Sequence, residues 1–177
     1  MKNTQKLIVS SLFLCIGLVL PFLTMQIRGI GNMFLPMHLP VLICGLICGW
    51  KYGLAIGFIT PLLRSFLFSM PVMFPNAVCM AFELATYGFV SGLLYQTLPS
   101  GKWKIYISLI AAMLTGRMIW GLVCVLIYGL SNYVYTWNIF ISAALFNAVP
   151  GIILQLVLIP ILMLTLEKFE LIKNDTL

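Results

Sequence analysis

The chain has 177 residues, 62% of them hydrophobic and only 8% charged, with a net charge of +6 and a mean hydropathy of +1.11. A soluble domain carries about a quarter charged residues because it needs a polar skin. This chain cannot supply one, so a water-soluble protein is excluded and an integral membrane protein is implied. Nucleic-acid binding is excluded too, since it needs a basic, aromatic-interleaved solvent face and no such run is present.

The N-terminus, MKNTQKLIVSSLFLCIGLVLPFL, places a positive start before a long apolar run with no small-x-small cleavage site. It reads as a retained first helix rather than a removed signal. A helix that crosses the hydrocarbon core needs roughly 20 apolar residues. On that measure span one runs about Leu7 to Met25, and span two about Met37 to Gly49, short and broken at its start by Pro36 and Pro40. Span three runs about Tyr52 to Ser69 after a tight GWKYG turn, and span four about Phe74 to Leu98 after the Pro-flanked loop MPVMFP. Span five runs about Trp103 to Leu130 and span six about Trp137 to Leu166, with a polar tail behind it. These long continuous runs imply no β-barrel. The fold expected is an all-α integral membrane protein, one compact bundle of six transmembrane helices over residues 1–177.

Six spans put both termini on one side of the membrane. With the termini cytoplasmic, the inner segments hold Lys2, Lys6, Lys51, Lys102, Lys104, Lys168 and Lys173, and the outer loops hold only Arg28. The positive-inside rule selects that orientation. Small residues recur at one-turn spacing, as in Gly45 and Gly49, Gly53 and Gly57, Gly88 and Gly92, Ala112 and Gly116, Ala144 and Ala148. Such pairs let helix backbones approach closely in lipid. The five cysteines fall within apolar runs and read as small packing residues. With one histidine in the chain, no metal site is expected.

Four polar side chains lie deep in the spans: Arg64, Glu83, Arg117 and Asn147. At 1.5 Å per residue, Arg64 and Arg117 are ~18 and ~21 Å from the inner ends of their spans, and Glu83 and Asn147 ~14 and ~15 Å from the outer ends of theirs. All four fall near one level. A charge at such a depth is costly and is usually partnered and functional. Glu83 can neutralise one arginine, and either arginine could be the partner. The other is then a surplus cation, expected to face an outer cavity and meet an anionic ligand; the plainer alternative for the paired arginine is a structural ion pair. Tyr87 is one turn after Glu83 and Trp120 three residues after Arg117, so both join the candidate site, although a packed interior aromatic is the plainer account of each. His38 begins span two near the same face, as a loop-end hydrogen bonder or a ligand contact. Asn132 sits in an outer loop that, with MPVMFPNA, has the look of a lid.

Absent motifs decide as much. Gly101-Lys102 is followed by Trp103 and lacks the first glycine of a phosphate loop, so the chain cannot hydrolyse ATP by that route. It has no Ser–His–Asp or H-E-x-x-H arrangement, and no enzyme or cofactor is expected. A binding protein without its own motor needs a partner if it transports.

The stretches LPMHLPVLICGLICGWKYGLAIGFITPLLRSFLFSMPVMFP and MAFELATYGFVSGLLY, with the six-span plan, resemble the substrate-specific (S) components of energy-coupling factor vitamin transporters. The Pro-Leu-Leu-x-Ser, Met-Pro and Glu-Leu-x-x-Tyr-Gly elements point to the branch of riboflavin, folate and pantothenate carriers. The resemblance implies a high-affinity binding subunit of an ATP-driven importer in a bacterial plasma membrane. Such a subunit captures a water-soluble vitamin from outside and docks on a transmembrane scaffold carrying two ATPases. Family members often bear Ala-x-x-x-Ala on the first helix for that docking; here Ser11 and Cys15 stand in its place with Gly17 nearby, all small. The surplus cation makes pantothenate the first expectation, with riboflavin, a pyridoxine-type compound, a pyrimidine precursor or a corrinoid fragment open. A self-sufficient secondary transporter or channel for a small anion, or an embedded structural factor, are the other classes.

Overall fold

A computed structural model describes residues 2–25, 36–99, 101, 103–130 and 149–168. Within these residues the chain is all-helical: α1 (Asn3–Met25), α2 (His38–Cys48), α3 (Trp50–Phe68), a π turn (Met73–Ala77), α4 (Val78–Thr97), α5 (Lys104–Leu130) and α6 (Val149–Lys168). The α1, α4 with its π turn, α5 and α6 segments are each long and apolar enough to cross a membrane. At 11 residues α2 is too short, and Lys51, Thr60, Arg64 and Ser65 lower the apolar content of α3. The expected first half of span six, Arg28, Asn132 and Asn147 lie outside the described residues.

The joint between α2 and α3 is tighter than the GWKYG pattern suggests. Only Gly49 leaves the helix, at φ +95°, a backbone state that glycine adopts freely. Its N–H closes α2 on the Gly45 carbonyl, and its own carbonyl opens α3 by accepting from Gly53 N–H, both at 3.0 Å. Trp50 to Gly53 are therefore the first turn of α3. Pro40 does not break α2 either: it sits in the first turn, where its missing N–H has no intrahelical acceptor to lose. At the other end α3 stops at Ser69, which is left-handed (φ 56°) and precedes Pro71.

α4 is the hub, packed against α2, α3 and α5, while α1 lies on α2 and α3, and α6 touches α5 and α2. Glycine makes this possible. A Cβ on Gly53 would collide with the backbone of Gly88, and a Cβ on Gly88 with that of Gly53, so α3 and α4 cross backbone on backbone. The paired-glycine reading of the sequence is met here.

The bundle has two distinct ends. At one, Tyr52 Oη donates to the Asn3 carbonyl at 3.4 Å, Gln96 covers Gly49, and the Lys104 ammonium lies 4.5 Å from the centre of the Tyr95 ring. Lys2, Lys6, Lys51 and Lys104 open helices there, and we call this the basic end. At the far end Tyr128 Oη donates to Asn76 Oδ1 at 3.1 Å, and Phe22 meets Phe68 edge-on. Replacing Gly88 by Ala forces the two backbones apart; we expect a loss of about 1–3 kcal/mol, the usual range for overpacking. It should read as a lower thermal midpoint in detergent, whereas Gly101→Ala, with open space around it, should leave the midpoint unchanged.

Candidate functional site

Glu83 lies on the buried face of α4 at 2% exposure. An ionised carboxylate in such a place needs strong donors; α5 and α4 supply them, and α2 brings a third polar group close by. Arg117 Nη1 of α5 donates to Glu83 Oε1 at 3.1 Å. Tyr87 Oη, one turn along α4, donates to the same oxygen at 3.1 Å. His38 Nε2, at the start of α2, stands 3.5 Å from it. All three meet Oε1, and Oε2 takes none of them. The Tyr87 ring is 5.2 Å from the His38 ring and lies flat against Gly116, where any Cβ would strike it. Gly116 thus lets α5 come close enough for its next residue, Arg117, to reach the carboxylate. Trp120 stacks near the guanidinium, 5.9 Å from ring centre to Arg117 Cζ.

This fixes which arginine pairs with Glu83. It also corrects the expectation that Arg64 joins the same constellation as a surplus cation. Arg64 is 2% exposed and turned toward α1. Its Nη1 donates to the Leu18 carbonyl at 2.6 Å, and its guanidinium lies 4.7 and 5.8 Å from the Phe22 and Phe68 ring centres. The Leu18 oxygen has a second lone pair beyond the one used in the α1 ladder, so it can take this outside donor; Pro21, which has no N–H, removes the donor of the Gly17 carbonyl one residue earlier. Two aromatic faces add cation–π attraction. Arg64 is a clamp between α1 and α3.

The Glu83 cluster is not saturated. Both His38 ring nitrogens, Arg117 Nε and Nη2, and Gln155 Nε2 are buried with no hydrogen-bond partner among the described residues. Buried polar atoms without partners are uncommon, and each asks for an explanation. Gln155, 1% exposed on α6, is missing from the sequence-based list. Its signal was legible: a lone amide in the apolar run VPGIILQLVLIP. Its level fits the cluster. Arg117 is 13 positions from the Lys104 end of α5 and Gln155 is 13 from the Lys168 end of α6, so both lie ~20 Å along their helices. Tyr87, Met113 and Ile159 share one buried apolar cluster, and each is one turn from Glu83, Arg117 and Gln155 in turn.

Among the partner-contact residues, Ser11 and Cys15 are exposed on α1, whereas Gly17 is buried against Thr60 and Pro40. No group of three metal-ligating side chains occurs among the described residues.

The ion pair is open to a direct check. Arg117→Met leaves a buried carboxylate without its cation, so we expect a loss of about 3–5 kcal/mol in detergent unfolding. Adding Glu83→Gln to it should restore part of that loss; strictly additive effects would show that the two groups are uncoupled.

No curated protein and no solved structure matches the chain. The family model described as "ECF transporter, substrate-specific component" matches residues 5–163. That is a family of transporter substrate-binding components, not of enzymes, and its members bind a small molecule and work with an energy-coupling module. A buried cluster of polar groups with donors to spare, set in a membrane bundle without an ATP-binding loop, accords with that match, and the chain belongs to the ECF transporter substrate-specific component family.

Proposed function

We propose that the chain is the vitamin-capturing subunit of an ATP-driven importer in a bacterial plasma membrane, with both termini cytoplasmic and six spans. The supporting observation for the binding role is the set of uncommitted donors beside Glu83, Arg117 Nε and Nη2 and the His38 ring, with Gln155 Nε2 at the same level on α6. Four of these belong to two cations or potential cations, and they suit acceptors such as a carboxylate or an amide carbonyl. A ligand that carries a carboxylate and an amide carbonyl would satisfy these donors, and pantothenate is the first candidate. Tyr87 and Trp120 supply the flanking surface, and Asn132 and Asn147 are proposed as further contacts. Arg64 is proposed to brace α1 against α3 and to make no contact with the ligand.

Orientation follows from the lysines. Placing the basic end in the cytoplasm satisfies the positive-inside rule and turns the far end outward, the side from which a nutrient arrives. Docking on the scaffold is proposed for the exposed α1 face at Ser11 and Cys15.

Mass spectrometry of the small molecule that co-purifies in detergent tests the ligand class directly. A pantothenate-like carboxylate is expected; riboflavin or another neutral ring compound would overturn the ligand choice, and no small molecule from any preparation would overturn the binding role. With labelled pantothenate as probe, Arg117→Lys should weaken binding at least tenfold through loss of two fork-placed donors, while Arg64→Met should bind normally and unfold more easily. For docking, Ser11→Trp or Cys15→Trp should abolish co-purification with the energy-coupling module and spare pantothenate binding; intact assembly of both would refute the α1 contact.

A further inference from the structure

A cavity of about 380 Å³ opens at the basic end, at the opposite end of α3 and α4 from the π turn. Asn3 and Lys6 of α1, Trp50, Lys51 and Tyr52 of α3, and Gln96 of α4 line it around the Gly49 joint. Its wall is braced by the Tyr52 hydroxyl on the Asn3 carbonyl, and Gln96 is held against Gly49, where no larger residue fits. The Lys51 ammonium lies 5.4 Å from the Trp50 ring centre.

The sign of the cavity is one-sided. None of its lining residues is acidic, and among the described residues neither Lys6 nor Lys51 is ion-paired. Helices α1 and α3 both begin here without an acid in the first turn, so their dipoles add to the positive field instead of offsetting it. Two cations around a hollow with hydrogen-bonding amides and aromatic walls suit an oxygen-rich anion.

The setting says where that anion comes from. Trp103 is 74% exposed at the same end, and Trp50, Tyr52 and Tyr106 stand on neighbouring first turns. Exposed aromatics such as Trp103 and Tyr106, with half-buried Trp50 and Tyr52 beside them, mark the headgroup level of a bilayer. On the same turn of α1 as Lys6, Leu7 and Ile8 are 58% and 64% exposed, an apolar surface beside the headgroup level.

We propose that this cavity is a binding site for the phosphate of an anionic lipid headgroup, gripped by Lys6 and Lys51. The site is separate from the Glu83 cluster and does not depend on what that cluster binds.

Native mass spectrometry of the full chain in detergent, titrated with phosphatidylglycerol or phosphatidylcholine, is the test. One phosphatidylglycerol should be retained in preference to phosphatidylcholine. Each lysine near an anionic surface contributes about a factor of five, so Lys6→Gln with Lys51→Gln should weaken that retention about tenfold or more. Lys168→Gln with Lys173→Gln, which removes the same charge elsewhere, should not. Equal weakening by the two double variants, or no preference between the lipids, would overturn the site. Displacement of the lipid by millimolar inorganic phosphate would overturn the lipid source and leave a soluble phosphate in its place.

Discussion

A carboxylate on the hub helix of an apolar bundle must be answered by its neighbours, and the way Glu83 is answered orders much of the structure. Arg117 comes from α5, His38 from α2 and Tyr87 from α4 itself. For those groups to meet, the helices have to sit unusually close. The glycine contacts supply that closeness: Gly53 with Gly88 between α3 and α4, and Gly116 under the Tyr87 ring between α4 and α5. Removing the side chain at these positions and burying a charge beside them are two halves of one design. In lipid there is little hydrophobic drive between helices, so close packing and polar contacts have to hold them together.

The two arginines show how similar sequence contexts lead to different roles. Each sits in an apolar helix at a comparable depth, and depth alone cannot say which way a side chain turns. Arg117 follows Gly116 and faces α4. Arg64 follows Pro61 and faces α1, where the Leu18 carbonyl accepts from it and Phe22, with Phe68 of α3, offers a ring face. One guanidinium is thus matched by a carboxylate and the other by a carbonyl and two π systems. Charge balance read from composition misses the second solution, because neither a carbonyl nor a phenyl ring counts as a charge.

Much of the architecture was legible from the residues. Long apolar runs and their glycine and proline breaks gave most helix ends to within a few positions. Glu83, Tyr87 and the Arg117–Trp120 neighbourhood followed from depth and helical spacing. His38 was weighed first as a loop-end residue, yet it is buried beside Glu83, because a helix that starts inside the bundle carries its first residue inward. Gln155 was overlooked for a different reason. An amide has no net charge, so a search for costly charges passes over it, although its unsatisfied hydrogen carries the same kind of penalty. Gly17 looked equivalent to Ser11 and Cys15 in sequence, but it falls on the opposite side of α1, against Thr60.

Over its most apolar stretch α4 is 56% buried in protein, against 17% for α1. A hub of this kind has little surface to give to lipid, and that bears on how the chain is assembled. Ribosomes deliver helices from the N-terminus onward, so Glu83 enters the translocon before Arg117 exists. In that interval the partners already made are Tyr87 on its own helix and His38 on α2. Until α5 is translated, Glu83 has no cation to pair with, and the few kcal/mol that an unpaired acid costs in lipid fall on the middle of the chain.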